Sequence, residues 1–145
     1  MKNALLLTLV AITPAMACKG NADRSSDTAG AARAAVTITS PTEGATTGKD
    51  VTVALRSEGV TIAKTDGKKV EGVGHHHLFL DTAPTPDNTP IPPTTSTIVH
   101  LGTGDSTFTF KGLPAGPHRI IAVIGYGDHS PMPGRRDSVD FTVKP

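Results

Sequence analysis

From Val36 to Val143 apolar residues recur at every second position rather than at helical spacing. Val36 and Ile38 alternate with Thr37 and Thr39. Val51, Val53 and Leu55 alternate with Thr52, Ala54 and Arg56, and Val139, Phe141 and Val143 with Ser138, Asp140 and Thr142. A period of two puts one set of side chains on one face of an extended strand. Turn residues separate the runs: Ser40-Pro41-Thr42-Glu43-Gly44, Gly102-Thr103-Gly104-Asp105 and Leu113-Pro114-Ala115-Gly116. Thr82 to Pro93 holds Pro84, Pro86, Pro90, Pro92 and Pro93, which rules out a helix or a central strand there.

The pattern predicts strands around Val36, Val51, His76, Ile98, Phe108, Ile121 and Phe141. About seven short strands separated by turns predict an all-β, immunoglobulin-like β-sandwich. Val60 and Ile62 suggest a short extra strand or edge. Thr95–Leu101 and Thr107–Phe110 read as a hairpin, and Lys64–Val73 and Gly127–Arg136 as loops. His118–Tyr126 is apolar on both faces, as in a strand in the middle of a sheet.

The chain has 145 residues, room for one such domain. Fourteen Lys and Arg against thirteen Asp and Glu leave a formal net charge of +1. No basic stripe is present, so nucleic acid is not an expected partner. With no Trp, one Tyr and four Phe, a platform for stacking sugars or bases is also disfavoured.

Cys18 is the only cysteine, so no intrachain disulfide forms. Lys2 precedes an apolar run from Ala4 to Ile12, too short to span a bilayer as a stable helix, and Ala15-Met16-Ala17-Cys18 follows. Residues 1–17 are expected to be a signal peptide. The cleavage region admits an A-x-A site for ordinary secretion or a bacterial lipobox that lipidates Cys18. The lone cysteine favours the lipobox, with a membrane contact through an N-terminal lipid anchor. Lys19 after the cysteine suits the periplasmic side of the outer membrane; a soluble secreted or periplasmic protein is the alternative. Residues 18–35 then form a polar tether, and 36–145 the domain.

Gly74-His75-His76-His77-Leu78-Phe79-Leu80-Asp81 concentrates half of the six histidines at the start of one strand. Imidazole is the commonest metal ligand. Residues i and i+2 of a strand share a face about 6.6 Å apart at about 3.3 Å per residue, so His75 and His77 form a chelating pair. His76 faces the other way, as a hydrogen-bonded interior histidine. Phe79 shares the face of the pair, which leaves open which face is core. His100 and His129 fall toward the same pole of the sandwich, as does Met132. His75, His77, His100, His129 and Met132 are therefore the candidate metal ligands. The thioether favours copper, with zinc the other ion suited to imidazole. His118 lies at the far pole, where it is expected to bond back to the preceding turn.

Two readings stay open. One is a non-enzymatic cell-envelope lipoprotein whose histidine-rich pole binds a transition metal or a small polar ligand. The other is a structural or interaction module whose histidines only hold loops. No enzyme is expected. Asp128-His129-Ser130 spells triad letters within one loop, no phosphate-binding loop opens a helix, and Glu43, Glu58 and Glu71 all lie in loops.

These residues resemble the bacterial family called domain of unknown function 4399. The resemblance is carried by Gly74 to Asp81, by Ile91-Pro92 and by His100-Leu101-Gly102-Thr103-Gly104. Ala115-Gly116-Pro117-His118 and His129-Ser130-Pro131-Met132 extend it. It covers about Val36 to Val143. Ile98 and Met132 stand where the family tends to carry histidines, and two fewer imidazoles would weaken a family metal site or turn it toward a softer ion. The resemblance implies no particular activity.

Overall fold

Val36 and Ile38 are buried while Thr37 and Thr39 face water, and Val51, Val53 and Leu55 repeat the pattern. The computed structural model describes residues 35–145. The expected signal peptide, Cys18 and the tether up to residue 34 lie outside the described residues.

The described residues form nine strands: β1 (Ala35–Ser40), β2 (Ala45–Thr47), β3 (Val51–Glu58), β4 (Thr61–Ile62), β5 (Val73–Leu80), β6 (Ile98–Leu101), β7 (Thr107–Phe110), β8 (Gly116–Gly125) and β9 (Pro131–Val143). One sheet has the order β1-β3-β7. The other runs β2-β9-β8-β5-β4, with β6 pairing β5 beyond β4. The fold is an all-β sandwich. Val36, Ile38, Val53, Leu55 and Phe110 of the first sheet pack against Leu78, Leu80, Ile120, Ala122, Ile124 and Phe141 of the second in one core. Burying such side chains stabilises by about 1.5–3 kcal/mol each.

Seven strands fall where the alternation places them, and β4 is the short extra one at Ile62. Three boundaries differ from expectation. β2 pairs in parallel with the end of β9 from a stretch with no apolar alternation. β6 is shorter than Thr95–Leu101, because the Thr95 hydroxyl accepts the Thr97 and Ile98 N–H groups and turns the chain first. β9 begins at Pro131 inside the expected loop 127–136, because a tight turn over Tyr126–Ser130 returns the chain early. There the Tyr126 N–H donates to Ser130 O (2.9 Å) and the His129 N–H to Tyr126 O (2.8 Å).

β8 lies between β5 and β9, in the middle of its sheet. Its inward residues Ile120, Ala122 and Ile124 are fully buried, and Val123 on the other face is also covered. That cover comes from the Pro-rich segment 82–97. Its Ile91 packs with Phe79 and Val123 in a second, smaller cluster flanked by Ile98 and Ile121. The Ile91 N–H donates to His129 O (2.9 Å), which ties the segment to the β8–β9 turn. The sheet β2-β9-β8-β5 is thus apolar on both faces around β5, and this second cover prepares the site.

Candidate metal centre

β5 puts its alternate residues on opposite faces. His76 points inward with Leu78 and Leu80; one ring nitrogen lies 2.7 Å from the Ser57 hydroxyl, and Nδ1–H donates to Asp105 O (2.9 Å). Both of its nitrogens are thereby satisfied, as an interior histidine requires. His75, His77 and Phe79 point to the outer face, beneath the Pro-rich segment.

Register brings the remaining rings to the same place. On one side of β5, His77 lies directly opposite His100 of β6. On the other, His75 lies opposite Gly125 of β8. Directly opposite residues share a face. His129 arrives from the β8–β9 turn with φ +67°, a left-handed conformation that lets its ring reach the outer face. Every pair among His75, His77, His100 and His129 has ring centroids 4.6–5.7 Å apart. The Nε2 atoms of His75 and His77 are 2.9 Å apart, and those of His100 and His129 are 3.2 Å apart. In each pair one ring donates N–H to the other's lone pair. His75, His100 and His129 offer nitrogens all within 4.8 Å of one another, an arrangement that could hold a metal ion.

Two glycines, unmarked as ligands by any spacing, make room for these rings. A Cβ on Gly102 would lie 2.6 Å from Nε2 of His100, and one on Gly125 would lie 3.0 Å from Nε2 of His77. Their role emerges only once the strands pair.

Met132 does not join the cluster. It lies in the main core, with its Cε 2.8 Å from where an inward Cβ of Gly74 would be. Pro131 pairs with Gly125 and shares the outer face, so the next residue must point inward. The expected thioether ligand is thus on the wrong side of the sheet, and sulfur no longer argues for copper.

His75 and His77 are fully buried, whereas His100 and His129 are half-exposed. Burial, and then the neighbouring charges of His100, His129 and His76, hold His75 down to about 4. Burial, and then His75 and the other rings, push His77 down to about 2. His100 is lowered as well, by burial and by His129. Those three rings are therefore neutral at pH 7, the form in which imidazole binds a metal. A narrow cavity of about 100 Å³ adjoins His75, with Lys64, Asp66 and Gly127 among its walls. The larger grooves, about 490 and 410 Å³, open around Asp81 and Arg119, away from the cluster.

His118 is not part of the centre. One of its nitrogens meets Asp81 Oδ2 and the other the Pro114 carbonyl of the preceding turn.

The fold and site define an all-β sandwich that carries a histidine cluster able to hold a metal ion. Residues 51–144 match the family model described as Domain of unknown function (DUF4399), and the chain belongs to that family. No curated protein and no solved structure matches the chain.

Proposed function

We propose that this is a non-enzymatic cell-envelope protein that holds one transition-metal ion between His75, His77, His100 and His129. The observation that carries the reading is the approach of the four Nε2 atoms in two close pairs, 2.9 and 3.2 Å. Two nitrogens about 2.0–2.1 Å from one ion at a tetrahedral angle lie about 3.3 Å apart. Each pair is thus near one edge length of a four-coordinate site, and His75, His100 and His129 offer nitrogens within 4.8 Å of one another.

The donor chemistry agrees. Nitrogen-only ligands suit copper, zinc or nickel, while calcium and magnesium require oxygen. A non-enzymatic role rests on the partners of the rings. Among the described residues, the only side chains that hydrogen-bond to the four imidazoles are the imidazoles themselves. Among the described residues no hydroxyl or carboxylate is hydrogen-bonded to the rings as a nucleophile–base pair would be. The leader and Cys18 support placement in the envelope.

A second reading has its own observation. The N–H···N contacts join β6 to the β8–β9 turn, and rings so bonded could act as clamps alone. Elemental analysis of tag-free protein, alongside a variant carrying His100→Ala and His129→Asn, separates the two. Asn keeps the left-handed backbone at 129 accessible. The metal reading expects about one ion per wild-type chain and loss of that ion from a variant that still folds. Equal metal in both proteins, with only the melting temperature lowered, would establish the clamp.

A further inference from the structure

We propose that the centre selects its ion by charge and takes copper as the monovalent Cu(I) rather than a divalent ion. This rests on the metal reading above and goes on to name the ion.

Imidazole binds a metal through a lone pair as an uncharged ligand, so four of them bring no negative charge. Among the described residues no carboxylate hydrogen-bonds to the four rings. The Nδ1 atoms of His75 and His77 are buried and have no hydrogen-bond partner. A ligating histidine ordinarily gives this N–H to a carboxylate or carbonyl, which raises its basicity and feeds negative charge toward the ion. Here two of the four ligands lack that support.

Four carboxylates lie on flanking segments, and each is bonded to another group; Asp87 of the Pro-rich cover accepts from Arg136. Asp66 accepts the Lys68 N–H at 2.9 Å, and Asp105 accepts the Thr103 hydroxyl. Asp128 accepts both the N–H and the hydroxyl of Ser130, at 3.0 and 2.6 Å. The outer face next to the rings is apolar, formed by Phe79, Val123 and Ile91.

His75 and His77 lie fully buried beside that apolar face, so a cation bound to them gives up most of its water on that side, while His100 and His129 stay half-exposed on the other. The cost of desolvating an ion grows with the square of its charge, so a monovalent ion costs about a quarter as much as a divalent one of equal size. Four neutral donors compensate a single charge far better than a double one. Sodium and potassium are hard cations that take oxygen ligands, whereas copper suits imidazole. Cu(I) is the singly charged ion that this ligand set fits. The argument needs no sulfur, and so survives the placement of Met132 in the core.

The test uses tag-free protein under anaerobic conditions. Cu(I) is titrated in competition with a chromophoric Cu(I) chelator, and Zn(II) and Cu(II) in competition with divalent chelating dyes. The same titrations are run on His129→Asn and on the variant with His100→Ala and His129→Asn, with circular dichroism to verify the fold. The expected result is one Cu(I) per chain, held at least about 100-fold more tightly than Zn(II), and a loss of about tenfold or more in His129→Asn. Cu(II) should bind more weakly than Cu(I). Zn(II) or Cu(II) held as tightly as Cu(I), and weakened by the same variants, would overturn selection by charge while leaving the metal centre in place. If none of the three ions binds wild type more tightly than the double variant, the metal reading itself falls, and this proposal with it.

Discussion

His118 lies between two acceptors: Nδ1–H donates to Asp81 Oδ2 at 2.7 Å, and Nε2–H donates to Pro114 O at 2.9 Å. A carbonyl and a carboxylate both accept, so the ring must carry both protons to satisfy them. Burial opposes the charge, but the Pro114 and Asp81 bonds outweigh it and raise the His118 pKa above its ordinary value. The ring pins the β7–β8 turn to the end of β5, far from the four-histidine cluster.

Because the folded pKa is raised, this contribution to stability is fully present below the unfolded value of about 6.5 and is lost as pH rises through the folded value. His118→Gln should cost about 1–3 kcal/mol at pH 6 and less at pH 9. The half-exposed Asp81 carboxylate brings solvent screening, which favours the lower part of that range. Urea unfolding of both proteins at the two pH values measures this; an equal cost at both would contradict a charged His118. Metal content should be the same in wild type and variant.

Gly102 lies against the His100 ring, and Gly102→Ala would drive that ring aside. The residue is half-exposed and in a turn, so stability should change by no more than about 1 kcal/mol. Metal affinity should nevertheless fall, by about as much as in His100→Ala. Parallel thermal melts and metal titrations read the two effects separately.

Ile120 and Ile121 are neighbours on β8 with opposite faces. Ile120 is fully buried in the main core, whereas Ile121 packs half-buried on the outer face. Ile120→Asp traps a charge that cannot reach water and should cost more than about 4 kcal/mol, enough to abolish folding. Ile121→Asp can turn its carboxylate outward and should cost about 1–3 kcal/mol. Circular dichroism during urea titration distinguishes them.

Cys18 follows Ala15-Met16-Ala17 and an apolar leader. If it is lipidated, Cys18→Ser should move the protein from the membrane fraction to the soluble fraction of a bacterial host. Mass spectrometry of the wild type should find acyl chains on Cys18, and an unmodified Cys18 at the mature N-terminus would contradict the anchor.

Much of this fold is legible in the local pattern, because the period of two is a local property. Val36, Val51 and Phe141 announce their strands through alternation with polar neighbours. The identity of i and i+2 faces is equally local, so His75 and His77 had to lie side by side. His118, two residues after Gly116, was readable as a bond back to its turn.

What local period cannot state is which face of a doubly apolar strand becomes the core. His75, His77 and Phe79 compete with His76, Leu78 and Leu80, and both sets are hydrophobic enough to be buried. The outcome depends on the first sheet covering one face and Ile91 covering the other, contacts made by segments far apart in sequence. Met132 shows the same division. Three residues from His129 in sequence, it points inward because β9 starts at Pro131 and pairs with Gly125. The opposition of His100 to His77 is likewise a matter of strand register, set by the packing of both sheets together. Sequence alone therefore determined which side chains could ligate as neighbours on one strand. Only the tertiary structure decided that rings from β5, β6 and the β8–β9 turn would meet, because each contact between those segments depends on a register that no single stretch of chain encodes.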